Sequence, residues 1–196
     1  MKERATDLVS DLADVLDEVA RLVESLDERR WAAPTPCDDW DVRAVVDHLL
    51  DLQRNFRVTM TGEAKREDSA FRDNAAVLPA AFREQGALER TVTTRLGPMP
   101  GATALNILTM EHLAHGWDLA RAVGHTPSFD TATTERAIAF ATLMSPKIPP
   151  PLAASNPHGR SPTTPRQSTG WRGCWGGGWG GVRAAAVVSG RAVAVR

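Results

Sequence analysis

The sequence has no tyrosine, only two cysteines, and no carboxylate after Glu135. Two cysteines, Cys37 and Cys174, are too few for a disulfide scaffold and fit a protein of the reducing cytoplasm. No apolar run reaches the roughly 18 residues that a membrane span needs, and the charged start leads into no signal-peptide core. We therefore expect a cytoplasmic protein that does not span a membrane, with room in 196 residues for one domain and an appendage.

The net charge of −1 is the sum of two very different regions. Residues 1–135 hold 15 basic and all 24 acidic residues, whereas residues 136–196 hold the remaining basic residues and no acidic one. The change in character becomes complete after Ser145, where prolines accumulate. The sequence therefore predicts a folded domain over residues 1–145 and a tail of another kind over residues 146–196.

The first two predicted helices each carry an apolar stripe. In the first helix, apolar residues recur at alternating spacings of four and three, which is typical of a helix packed in a bundle. That stripe consists of Leu8, Leu12, Val15, Val19, Leu22 and Leu26. A second helix is predicted from Trp40 to Thr61, capped by Asp38 or Asp39 and ended by Gly62. Its inward face would include Val45, His48, Leu49, Leu52 and Phe56.

Three further helices complete the prediction for the domain. The third spans about Asn74–Leu96, with interruptions at Pro79 and Gly86. The fourth spans about Ala102–Val123, and the fifth about Thr131–Met144. No strand is expected before residue 145. The fold class is therefore all-α, an antiparallel four-helix bundle with an added helix.

The fourth helix contains the residues that point to chemistry. Glu111 and His115 are four residues apart and share one helix face, and Asp118 continues that face. A carboxylate and an imidazole at this spacing can bind one divalent ion, and His48 on the second helix could supply a third ligand. Three protein ligands would leave a coordination position open, as in catalytic metal sites. The ordinary alternatives are a solvated Glu–His pair and a hydrogen-bonded, partly buried His48.

Two motifs resemble a known family. The first runs Pro34-Thr-Pro-Cys37-x-x-Trp40-x-Val-Arg43 and ends in His48-Leu49. The second runs Glu111-x-x-x-His115-Gly-Trp117-Asp118-Leu-Ala-Arg121-Ala-x-Gly124. Together they resemble the mycothiol-dependent maleylpyruvate isomerase family, within the DinB-like metal-binding four-helix bundles. The resemblance covers about residues 5–145 and matches a short, single-domain member.

The resemblance implies a site and a cosubstrate. It implies a divalent metal, usually zinc, held by His48, Glu111 and His115, with the thiol mycothiol bound to the metal as thiolate. Asp118 would then orient His115 from behind, although an ion pair with Arg121 is the simpler alternative. The further C-terminal domain of the two-domain isomerases has no counterpart here. The reaction is therefore open between thiol-dependent isomerase or transferase chemistry and a non-catalytic metal- or ligand-binding bundle.

Several residues near the motifs have two interpretations each. Cys37 precedes a helix, where a thiol can become reactive, but packing near Trp40 is the favoured interpretation. Trp40 and Trp117 could line an apolar pocket with Cys37, or serve as ordinary core and rim residues. His112 points away from the Glu111 face and is expected to be a bystander. The expected partners are a small-molecule thiol and a substrate, and a homodimer is left open.

The tail contains a proline-rich stretch, then tryptophans within glycine runs, then an alanine, valine and arginine run. A basic tract with interleaved tryptophans could bind single-stranded nucleic acid, but we do not favour that function. A translational frameshift explains more. With GC-rich codons, reading from the third base of the Ser155 codon gives EPARPVADDASAVDRLAGLLGRRL. That string has helical apolar spacing and resembles the end of short family members, so residues 146–196 are predicted to be frameshifted or disordered.

Overall fold

The structure, a computed structural model, describes residues 2–37 and 40–144. Within those residues the chain forms five helices and one short hairpin, so the predicted all-α class is confirmed. The helices are α1 (Lys2–Glu24), α2 (Val42–Thr61), α3 (Phe71–Arg83), α4 (Gly101–Ala122) and α5 (Thr131–Met144). The strands are β1 (Thr91–Thr94) and β2 (Gly97–Pro100). The predictions for residues 146–196, and for Asp38 and Asp39, lie outside the described residues.

Four helices form the bundle and the fifth packs on its side. α1 packs against α3 and α4, α2 packs against the same two helices, and α5 lies on α4. The predicted stripe of α1 faces inward, since its members Leu12 and Val19 are completely buried. Leu12 and Leu16 belong to the main core cluster with Leu78 and Phe82 of α3. The apolar periodicity of α1 therefore has the structural consequence that it predicts.

The ends of α2 and α4 follow local backbone chemistry. Gly62 ends α2 with φ 73°, and Gly124 follows α4 with φ 71°, both in the left-handed region where a glycine costs least. The predicted cap of α2 was misplaced: its N-cap is Asp41, whose carboxylate accepts a hydrogen bond from the Ala44 N–H at 2.8 Å. α2 consequently begins at Val42, two residues later than predicted.

The prediction of one helix over Asn74–Leu96, and of no strand before residue 145, is wrong. α3 ends at Arg83, and the chain then forms the antiparallel pair β1–β2. The sequence Thr91-Val-Thr-Thr is rich in β-branched residues and turns its only apolar side chain, Val92, into the core. Gly97 has φ 102°, which the turn tolerates and a helix would not. Pro79, expected to interrupt the helix, is buried within α3.

α4 packs closely against α1 at Gly116, the residue that follows His115. A Cβ on Gly116 would lie 2.7 Å from Val19 Cγ2 and 2.9 Å from Phe129 Cζ, closer than carbon atoms approach. The loop after α4 is held to α1 as well, because Glu18 accepts a hydrogen bond from the Ser128 N–H at 2.9 Å. The absence of a Cβ at Gly116 therefore permits the close approach of α4 to α1 and to Phe129.

Candidate metal centre

Two helices supply the residues of the candidate site. His48 projects from α2, and Glu111 and His115 project from α4 one turn apart. His48 Nε2 lies 3.2 Å from Glu111 Oε2, and His115 Nε2 lies 3.5 Å from the same oxygen. The three donor atoms all lie within 4.8 Å of one another. Residues that are 63 positions apart in the chain are thus brought into one group.

The group is buried, which gives its charges large effects. Glu111 is 2% exposed and His115 is 4% exposed, while His48 is half-buried. Burial alone would raise the pKa of Glu111, but hydrogen bonds from His115 and His48 outweigh it and lower the pKa to about 2. Glu111 is therefore a carboxylate at neutral pH, which is the form that binds cations.

His115 is held from both sides. Its Nδ1–H donates a hydrogen bond to Asp118 Oδ2 at 3.2 Å, and its Nε2 faces Glu111. Burial lowers the pKa of His115, but the hydrogen bonds to Asp118 and Glu111 together raise it to about 9. A cation at Nε2 would take the place of the proton there. Asp118 pairs with His115 rather than with Arg121, whose guanidinium carbon lies 5.9 Å from the centre of the Trp117 ring.

The spacing of the donor atoms fits a metal ion. Two ligands about 2.1 Å from a tetrahedral zinc ion are separated by about 3.4 Å. The two contacts to Glu111, 3.2 and 3.5 Å, bracket that value. The ligand types also suit zinc, since imidazole nitrogen and carboxylate oxygen are among its ordinary protein ligands. Asp118 on the far nitrogen of His115 is the arrangement that commonly orients a metal-binding imidazole.

An indole ring forms one wall of the group. Trp40 stacks on His115 with ring centres 5.6 Å apart, and tilts against His48 with centres 5.0 Å apart. Trp40 is anchored by backbone hydrogen bonds, from its N–H to Cys37 O and from the Thr35 N–H to its own carbonyl. The Pro34–Cys37 segment thus places Trp40 over the histidines.

Cys37 also lies beside the site. Donor atoms of Cys37, His115 and Asp118 form a second buried group within 4.8 Å, so His115 is common to both groups. Trp117, the other predicted pocket residue, is half-buried, and the guanidinium carbon of Arg121 lies 5.9 Å from its ring centre.

The remaining histidines differ in their positions. His112 is completely buried and does not join the candidate ligands; its Nε2 lies 3.1 Å from Gln53 Nε2. Burial lowers the pKa of His112 to about 4, so it is neutral. The sequence interpretation missed Gln53, although a polar residue between Leu49 and Phe56 on an apolar stripe was a usable signal. His125 is exposed, 3.8 Å from Glu18, and His158 lies outside the described residues.

The fold and the site together define a class: a helical bundle with a buried His–Glu–His group shared by two of its helices. Residues 12–73 match the family model of the mycothiol maleylpyruvate isomerase N-terminal domain. This match confirms, over residues 12–73, the family resemblance predicted from the motifs. The matched range includes His48 and ends before Glu111 and His115.

Two relatives extend the comparison beyond that range. An uncharacterized protein of Mycobacterium tuberculosis is 27% identical over 139 residues, which cover 67% of this chain and 76% of the relative. A second uncharacterized protein of that organism is 30% identical over 146 residues, which cover 59% of this chain and 56% of the relative. No solved structure matches the chain significantly. No helix in the described part of the chain is long and apolar enough to cross a membrane.

Proposed function

We propose that the chain binds one divalent metal ion, with zinc as the expected metal, through His48, Glu111 and His115. The observation that carries the proposal is the convergence of the three donor atoms within 4.8 Å around a buried carboxylate. A buried carboxylate is costly unless it is paired, and a group of this composition pairs it with a cation. Asp118 would orient His115 and strengthen its nitrogen as a ligand.

We further propose that the site serves thiol-dependent isomerase or transferase chemistry, with mycothiol as the thiol. Support comes from the family match over residues 12–73, whose description includes mycothiol. A bound divalent ion would lower the pKa of a small thiol and so supply a nucleophile at neutral pH. In this proposal Trp40 screens one side of the site from water, while Asp118 holds the Nδ1 proton of His115. Cys37 is assigned to packing beside Trp40.

Metal quantification tests the first part of the proposal. Purified protein should contain about one zinc per chain, and His115→Ala should lose it. His125→Ala is the matched control, because His125 is 52% exposed and lies outside the group. It should retain the metal of the unaltered protein. Equal metal content in His115→Ala and unaltered protein would contradict the site.

The alternative is a metal- or ligand-binding bundle without catalytic activity. One observation favours it: Glu111 and His115 are almost fully buried, which leaves a substrate little access to them. Mycothiol titration and turnover of maleylpyruvate by the metal-loaded protein distinguish the two. Thiol binding with turnover that His48→Ala abolishes supports the enzyme, whereas thiol binding without turnover supports the binding module.

The division at residue 145 and the cytoplasmic location remain proposals too. A chain truncated after Ser145 should bind the same amount of metal as the full chain.

Sequencing the gene tests the frameshift, because a shifted frame without the predicted string would exclude it. A salt-sensitive complex with single-stranded nucleic acid that disappears on truncation would support nucleic-acid binding by the tail. Sedimentation of the purified protein would test the homodimer.

A further inference from the structure

A second polar contact joins α2 and α4 beside the candidate metal centre. Gln53 lies five residues after His48 on α2, and His112 lies one residue after Glu111 on α4. Gln53 Nε2 and His112 Nε2 are 3.1 Å apart, and both residues are completely buried. Phe71 of α3 packs edge-on to the His112 ring at 6.1 Å, which closes the third side.

The direction of the hydrogen bond follows from a neighbouring carbonyl. His112 Nδ1 lies 2.8 Å from the Leu108 carbonyl oxygen, which can only accept, so Nδ1 carries a proton. The other ring nitrogen, Nε2, faces the Gln53 side-chain nitrogen, which can only donate, so Nε2 accepts from it. Flipping the Gln53 amide would place two acceptors against each other. The geometry therefore fixes the orientation of both side chains.

This arrangement costs stability. With the amide so oriented, Gln53 Oε1 has no hydrogen-bond partner among the described residues. A buried polar atom without a partner costs about 1–3 kcal/mol, which an apolar side chain of similar size would avoid. The surrounding residues of α2 are apolar: Leu49, Leu52 and Phe56 are all buried. An amide among them requires a reason other than stability.

The metal centre supplies that reason, because it needs an exact register between α2 and α4. His48 is the one proposed ligand on α2, so sliding α2 along α4 would move it relative to Glu111 and His115. One residue of a helix is about 1.5 Å of rise, while metal–ligand distances hold to about 0.2 Å. Apolar contacts tolerate small slides, but a hydrogen bond of fixed direction and length does not. Buried polar pairs set register in this way in coiled coils.

We propose that Gln53 and His112 are positioning residues, whose buried hydrogen bond fixes the register of α2 against α4 and so places His48 beside Glu111 and His115. This inference rests on the proposed metal-binding function. Replacing both hydrogen-bonded side chains by apolar ones should weaken metal binding without lowering the stability of the fold. A purely structural role predicts that both properties change together.

The test compares zinc affinity, by chelator competition, with urea denaturation of the metal-free protein. In Gln53→Met/His112→Leu both polar groups are replaced, so its denaturation midpoint should equal or exceed that of the unaltered protein. Its zinc affinity should fall by about tenfold or more, as for other groups that support metal ligands. Phe56→Leu is the control on α2: it should lower the midpoint and leave zinc affinity unchanged.

The outcomes separate this inference from the function on which it rests. If the unaltered protein binds no metal, the proposed function fails. If it binds zinc and the double variant binds equally tightly, the register inference alone is overturned. Should the double variant not fold, nitrogen NMR of His112 in the unaltered, metal-free protein decides. A proton on Nδ1 at neutral pH supports the hydrogen bond described here, and a proton on Nε2 contradicts it.

Discussion

The contact between α1 and α3 differs from the contact between α2 and α4 in the polarity of its interior side chains. Between α1 and α3 the main core cluster joins apolar side chains, and exposed charges flank it, where Arg72 of α3 forms ion pairs with Asp17 and Glu24 of α1. Between α2 and α4, ionisable and amide groups lie in the interior: Gln53, Glu111, His112 and His115 are buried, and His48 is half-buried. The contact between α2 and α4 thus combines apolar packing with the groups of the proposed metal centre, whereas the contact between α1 and α3 has no proposed ligand.

The largest expected effect breaks the apolar side. Phe82 of α3 is 1% exposed and packs in the main core cluster. Phe82→Ala removes the ring and leaves a cavity in the core, so the free energy of unfolding should fall by about 3–5 kcal/mol. Urea denaturation measures this loss. The zinc affinity of the folded fraction should not change, and a change there would mean that the two sides are coupled.

A smaller effect is expected on the polar side. Asp118→Asn removes the charge that holds Nδ1–H of His115 and should lower zinc affinity by about 10–100-fold. Competition with a chromophoric chelator measures the affinity. Asp47→Asn, at an exposed position next to His48, removes the same charge and is the control. Equal losses in both variants would indicate a general charge effect and remove Asp118 from the site.

The smallest effect tests a helix that lies outside both contacts. At the start of α5, Asp130 accepts hydrogen bonds from the Thr133 N–H and the Thr133 hydroxyl. Both hydrogen bonds lower the pKa of Asp130, and the bond from the Thr133 N–H has the larger effect. Because the pKa is lowered in the folded state, ionised Asp130 stabilises the fold fully at a pH above the ordinary aspartate pKa. This stabilisation is lost as the pH falls through the pKa of Asp130 in the folded state.

Asp130→Asn should therefore lower the urea midpoint slightly at pH 7, and the difference from the unaltered protein should shrink as the pH falls below about 4. Asp14→Asn, exposed on α1, controls for the loss of one negative charge. A difference that grows toward low pH would contradict the capping role. Zinc content should stay the same, because α5 supplies no proposed ligand.

The sequence predicted best those features that depend on local pattern. The stripe of α1, the glycine ends of α2 and α4, and the bounds of α5 are short-range properties. The hairpin was missed because Val92 and Leu96 also fit a helical stripe, and because Gly86 was interpreted as an interruption within one helix rather than as a turn after it. The partnership of Gln53 with His112 was missed for another reason. It depends on how two distant helices align, which no local pattern contains.

The separation of 63 positions between His48 and Glu111 has a consequence for assembly of the molecule. An ion shared by the two would act as a removable cross-link, closing a loop that contains all of α3 and the hairpin. Such a link requires α2 and α4 to lie side by side, so metal capture would report that this pair of helices has assembled. Free zinc in excess should then raise the thermal midpoint with its concentration, as for any ligand that binds only the folded chain. The ion would thus hold α2 and α4 together as a reversible cross-link.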